Sequence, residues 1–165
     1  MNPKFEKPLH LIIDGSDNLG KTTVANLLSR RLQLPIIKMP RTQEYFKLGL
    51  AEEFSRFYNE TLIQFSEYSF IMDRGFPSSL VYGKKYKRDF DFSYIDNIEQ
   101  ILKPKVFIFT SENRKSFCKD VIISEEDKLD IDIEYRNLVY KKTYYLLDVD
   151  GKSPLEICNE IIENL

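Results

Sequence analysis

Several chemistries are excluded by what this chain has little of. It carries two cysteines and one histidine in 165 residues, and no long apolar run. Cys118 and Cys158 are each isolated, so neither a CxxC site nor a disulfide framework can be drawn. Idle or buried thiols in a reducing compartment are the expectation. Positive charge is not in excess, since 24 Lys and Arg stand against 26 Asp and Glu, a net charge of −2. That balance argues against a general nucleic-acid binder, which needs a basic surface to release counterions. The local cluster Lys84, Lys85, Lys87 and Arg88 is the exception, and it reads as a solvated helix end. Met1 to Lys7 mixes charge and proline without an apolar h-region, so neither a leader nor a membrane span is expected. The expectation is a cytoplasmic protein. No repeat, low-complexity tract or linker divides the chain, which has the length of one domain.

Against that background one string stands out. Gly15, Ser16, Asp17, Asn18, Leu19, Gly20, Lys21 and Thr22 spell G-x-x-x-x-G-K-T, followed by Thr23. The glycines allow a tight turn that aims successive N–H groups at phosphate oxygens. Lys21 would reach the β- and γ-phosphates of ATP, and the Thr22 hydroxyl would hold Mg²⁺. Context supports the reading. Leu9 to Ile13 is a short apolar run suited to a buried parallel strand. From Lys21 to Leu32 the spacing of Val24, Leu27, Leu28 and Leu32 is helical. The helix then points the positive end of its dipole at the bound anion.

The rest of the chain alternates strand-like and helix-like stretches. Strands are expected at 34–39, 68–72, 105–110 and 144–149. Helices are expected over 44–65 (with a break near Gly49), 92–102, 131–142 and 154–162, with Pro154 at a favourable helix start. Such alternation implies an α/β fold, a five-stranded parallel sheet with helices on both faces. Ligands in such folds bind at the C-terminal strand ends. Gly15, Pro40-Arg41, Asp73-Arg74 and Thr110-Ser111 all fall there. His10 opens the first strand at the opposite end and is expected to be structural. The stretch 111–130 is highly charged and weakly periodic. It reads either as a surface segment or as a lid closing over phosphates.

Asp73-Arg74 directly follows an apolar strand. A carboxylate there can meet a metal shell, and an arginine can clamp an anion bidentately; a surface ion pair is the plainer reading. Together with the loop, these residues resemble the thymidylate kinase family of nucleoside monophosphate kinases. That family carries E-G-x-D-x-x-G-K-[ST]-T; here Asp14 to Thr23 matches it with Asp14 in place of the glutamate. The family's D-R-[YF]-x-x-S-[SG]-x-A-[YF] is matched in part by Asp73 to Tyr82, and the last strand, turn and helix are similar too.

The resemblance implies a P-loop kinase architecture with a lid, Mg²⁺ as cofactor and ATP as donor. It also implies small-molecule nucleotides as partners and a homodimer. Asp17 would contact the acceptor's 3′-hydroxyl. Arg74 would grip the acceptor phosphate, with Asp73 beside the metal and phosphates. Arg41 would be a second phosphate grip, and Phe54 would stack on the base. Ser78, Ser79 and Tyr82 would line the sugar and base pocket. Three departures surround the acceptor: Tyr58 where the family has a base-contacting arginine, Gly75 for an aromatic, and Gly83 for a glutamine. They widen the expected acceptor from dTMP to a broader set of deoxynucleotides. Some members place an arginine inside the loop, where this chain has Asn18. The missing cation is then expected from the lid, at Arg114 beside Lys115 and Lys119.

Rival readings use the same loop. A deoxynucleoside kinase would need a carboxylate base to activate a neutral hydroxyl. A regulatory GTPase would need Asn-Lys-x-Asp, which is absent, and a remodelling ATPase a paired Asp-Glu, where Asp73 is followed by arginine. A nucleotide binder without catalysis remains as a further alternative.

Overall fold

The computed structural model describes residues 5–39, 48–112 and 125–165. Five strands form one parallel sheet: β1 His10–Gly15, β2 Ile36–Lys38, β3 Phe70–Asp73, β4 Lys105–Thr110 and β5 Tyr145–Asp148, in spatial order β2-β3-β1-β4-β5. Six α-helices connect or flank them among the described residues: α1 Lys21–Leu32, α2 Ala51–Thr61, α3 Phe76–Lys85, α4 Tyr94–Leu102, α5 Glu125–Lys141 and α6 Pro154–Glu163. None is long and apolar enough to cross a membrane.

Strand alternation builds two cores. Leu11, Ile13, Ile71, Phe107 and Phe109 point to one face, where Val24 and Leu28 of α1 and Ile157 and Ile161 of α6 cover them. Ile12, Phe70, Met72, Val106 and Ile108 point to the other, under Phe76 and Val81 of α3, Ile95 and Ile98 of α4, and Ile131 and Tyr135 of α5. With β1 central and buried along its length, both faces are closed, and the only place to bind a ligand over β1 is its end.

The α/β class, the strand number and the parallel arrangement agree with the sequence reading. α1 and β4 match it residue for residue. The strand expected at 68–72 begins at Phe70, because Tyr68 N–H is spent on Phe65 O in a turn that follows the 3₁₀ helix Leu62–Phe65. Gly49 does precede a helix, with φ of 70° in a turn before Ala51.

Two features differ more. Of helix α3, only the basic end was expected. Its opening Phe76-Pro77-Ser78-Ser79 has no side-chain cap of its own, and Gly83 weakens its interior. That glycine is required: a Cβ would lie 2.5 Å from the Phe92 ring. The cap comes from far away, as described below. The basic cluster at the end of α3 is more than a solvated end. Lys84 pairs with Glu134, and Lys85 with Asp127 and Asp130, fastening α3 to α5. Residues 125–130 of the stretch read as a lid are helical and continuous with α5, while 113–124 lie outside the described residues.

His10 is buried at the far end of β1. Its Nδ1 lies 2.6 Å from the Leu102 carbonyl, which only accepts, so that nitrogen carries the proton. Cys158 is buried in the core, and Cys118 lies outside the described residues.

Candidate active site

The loop turns sharply as β1 ends. Gly15 has φ of 129°, and a Cβ there would collide with the Phe109 carbonyl of β4. Asn18 and Gly20 are left-handed, with φ of 63° and 73°, so the chain reverses into α1 at the Gly20 N-cap. Leu19 is buried in the α1-side core and holds the loop down. Thr23 is exposed on the first turn of α1.

Lys21 folds back over the loop and donates from Nζ to the Ser16 carbonyl. It is nearly inaccessible, and burial pushes its pKa down to about 7. The Arg74 charge acts in the same sense, while Asp14, Asp17 and Asp73 oppose it. Thr22 Oγ1 donates to Asp73 Oδ2 at 2.7 Å. This hydroxyl–carboxylate corner suits Mg²⁺, a hard cation that takes one or two protein oxygens and completes its shell with water and phosphate. The described residues hold no cluster of three or more His, Cys, Asp or Glu that would form an all-protein metal cage.

Arg74 occupies a left-handed conformation, φ 68°, immediately after β3. Its guanidinium pairs with Asp17, donates to Gly15 O at 3.2 Å and Ser78 Oγ at 3.3 Å, and lies 3.7 Å from Asp14. Tyr82, nearly two turns into α3, donates to the other Asp17 oxygen at 3.1 Å and lies under the Arg74 guanidinium. Burial pushes the Tyr82 phenol up, and the carboxylates of Asp17 and Asp14 add to this against the opposing Arg74 charge. The structure therefore joins Asp17, Arg74, Ser78 and Tyr82 in one cluster facing the loop. Ser79 points elsewhere in α3, its hydroxyl 3.0 Å from that of Ser55 on α2.

Tyr58, in α2, donates to the Lys38 carbonyl at 2.8 Å, and burial pushes its phenol up to about 12. Phe54 lies one turn earlier and is half-buried. Arg41, Arg114, Lys115 and Lys119 lie outside the described residues.

Four residues that sequence reasoning did not assign to the site join it. Asp14 is fully buried. Its Oδ2 accepts from Gly75 N and Ser78 N at 3.1 and 2.9 Å. Its Oδ1 accepts from Gly15 N at 2.8 Å, Ser78 Oγ at 2.6 Å and Tyr135 O–H at 2.9 Å. It is the cap that α3 lacks locally, supplied from the end of β1. The signal was legible: a carboxylate closing an apolar strand must be paired once buried. Tyr135 is one tyrosine among ten and gave no signal. Asp132, one turn before Arg136, accepts from Ser16 Oγ at 3.2 Å and from Arg136 Nε at 2.9 Å, linking the loop to α5. Lys38 ends β2 beside Asp73.

A β1 loop of this geometry, with Asp73-Arg74 at the end of the neighbouring parallel strand, defines the P-loop kinase fold of the thymidylate kinase type. Thymidylate kinase from Candida albicans shares that fold with a TM-score of 0.69 at 19% identity, over 96% of this chain and 91% of its own. The chain belongs to the family of YorR, the SPbeta prophage-derived protein of Bacillus subtilis (strain 168). It is 30% identical to YorR over 159 residues, 93% of this chain and 82% of YorR. A crystal structure of YorR in complex with phosphorylated GDP superposes with a TM-score of 0.76 at 28% identity, covering 94% of each chain. No family model matches the chain.

Proposed function

We propose that this protein is a cytoplasmic enzyme that transfers the γ-phosphoryl group of ATP to a (deoxy)nucleoside monophosphate, releasing ADP and the diphosphate. The acceptor is dTMP or a broader set of deoxynucleotides. The observation that carries the reading is the Asp17–Arg74 pair, which sets a half-buried guanidinium against the phosphate loop, beside the Thr22–Asp73 corner. A guanidinium has five N–H donors, enough to keep its contacts and still take a phosphate. The YorR complex with phosphorylated GDP supports a nucleotide ligand.

An acceptor phosphate oxygen attacks the γ-phosphorus. The bond from that phosphorus to the β-bridging oxygen breaks, and ADP leaves with the electron pair. The nucleophile is already anionic, so no strong base is needed, in keeping with a single histidine at the far end of β1. Loop N–H groups and Lys21 meet the donor phosphates; Arg74 and Arg41 grip the acceptor phosphate; Asp17 takes its sugar hydroxyl. Phe54, Tyr58, Ser78 and Tyr82 line the acceptor, Ser79 stands behind them against Ser55, and Arg114 brings the further cation when the lid closes. Thr22 and Asp73 would hold Mg²⁺, the latter directly or through water, and the ion when bound neutralises developing phosphate charge. A homodimer belongs to this reading; the exposed Leu48, Leu50, Phe57 and Phe65 around α2 are apolar surface that a second copy would cover.

The test is ADP release with each common ribo- and deoxyribonucleoside monophosphate, and with the matching nucleosides. Turnover with monophosphates alone is expected. Turnover with nucleosides alone would replace the reading with a nucleoside kinase. Nucleotide binding without turnover on any acceptor would leave a binding protein.

A further inference from the structure

Lys38 is the last residue of β2 and the register partner of Asp73. Its Nζ lies 3.8 Å from Asp73 Oδ2, the oxygen that accepts from Thr22. Its carbonyl accepts from Tyr58 on α2. Lys38 thus bridges the Thr22–Asp73 corner and the α2 wall. In the order β2-β3-β1-β4-β5 it sits two strands from the phosphate loop, on the side away from β4. Strands stand about 4.8 Å apart, so its Cα is roughly 10 Å from the end of β1. That puts it beyond the donor and beside whatever enters from α2.

Charge makes this position matter. Asp17 and Asp73 line the inner cleft, with Asp14 buried behind them. Arg74 is tied to Asp17 and close to Asp14, and Lys21 is folded onto its own loop at the donor end. An anion entering past α2 therefore meets carboxylates, and the Arg74 charge that grips it is shared with Asp17 and Asp14. The Lys38 side chain differs: it is 61% exposed, and its contact with Asp73 is long. A flexible ammonium of this kind can leave one carboxylate for a phosphate at little cost.

We infer that Lys38 binds the 5′-phosphate of the acceptor nucleotide, swinging from Asp73 to do so. The inference rests on the monophosphate kinase reading and adds a residue to it. Because Lys38 is exposed and its contact with Asp73 is long, while Thr22 still donates to that carboxylate, removing the lysine side chain leaves the fold intact.

The experiment is calorimetric binding of dTMP, dGMP, thymidine and deoxyguanosine to the full chain, wild type, Lys38→Ala and Lys38→Arg. The wild type should bind each monophosphate more tightly than its nucleoside. Lys38→Ala should weaken monophosphate binding by about tenfold while changing nucleoside binding by less than about twofold. Lys38→Arg should recover most of the loss. If the wild type shows no preference for monophosphates, the kinase reading itself fails and Lys38 falls with it. If the wild type prefers them and Lys38→Ala keeps that preference, only the Lys38 assignment is overturned. It is overturned equally if the variant shifts the Mg²⁺ requirement for turnover but not monophosphate affinity, because Lys38 would then act through Asp73.

Discussion

Binding of a nucleoside triphosphate should draw close to one proton from solution at pH 8. In the ligand-free protein, burial holds the Lys21 ammonium at a pKa of about 7 instead of 10.5. A polyphosphate against Nζ adds opposite charge to that of the nearby carboxylates and returns the pKa to roughly 10. At pH 8 the free amine is then about one-tenth protonated and the bound amine nearly fully, an uptake of about 0.9 proton. The uptake falls to about one-half at pH 7 and about one-tenth at pH 6. Titration with a non-hydrolysable ATP analogue at saturating Mg²⁺, in buffers of different ionisation enthalpy, reads this number directly. Lys21→Ala removes it and provides the baseline for protons taken by the nucleotide itself. Uptake that is absent at pH 8, that does not change with pH, or that survives in Lys21→Ala would refute the reasoning.

The same shift sets the sign of a stability effect. Because the folded pKa lies below the unfolded one, the unfolded chain binds more protons between pH 7 and 10.5, and ligand-free stability rises with pH across that window. Burying the charge costs on the order of 4 kcal/mol at pH 7. Lys21→Met, of similar volume, should therefore raise the melting temperature of the ligand-free protein while abolishing transfer.

Four substitutions probe the surrounding frame. Asp14→Asn puts an N–H₂ where an oxygen accepts two or three bonds; stability in urea should fall by roughly 2–4 kcal/mol, and a loss under about 0.5 would remove Asp14 as the cap of α3. Gly15→Ala sets a Cβ 2.9 Å from Phe109 N and against its carbonyl, at φ 129°, and should cost roughly 3 kcal/mol or more by thermal denaturation. Asp73→Asn should cut turnover sharply and raise the Mg²⁺ concentration for half-maximal rate; unchanged kinetics would return Asp73-Arg74 to a surface ion pair. Arg114→Ala should lower kcat by at least about tenfold, a loss of about 1.4 kcal/mol in the transition state, and an unchanged rate would move the cation elsewhere.

Much of the frame was readable because it is local. Lys21–Leu32 and Lys105–Thr110 carry periodicity strong enough to set their own ends. Helix α3 was readable only at its basic end. Its start is proline- and serine-rich without a local cap, and its stability is borrowed from Asp14 and from the Lys84 and Lys85 pairs with α5. The edge strand β2 shrank to three residues because its pairing is with β3 alone. Sequence placed Asp17, Arg74, Ser78 and Tyr82 near the acceptor by resemblance; that they form one bonded cluster came from the fold.

By itself, the sequence determined the phosphate loop of the candidate site. Eight contiguous residues suffice there, because a phosphate is held by successive backbone N–H groups and a helix end, all close along the chain. It also determined the sheet, through short apolar runs at the right intervals. Only the tertiary structure decided the charge pairing. Asp17 meets Arg74 across 57 residues, and Asp14 meets Tyr135 across 121. Those partners are chosen by strand order and helix packing, and spacing along the chain carries no record of them. The same holds for Lys38, an ordinary strand lysine until the β2–β3 register sets it beside Asp73.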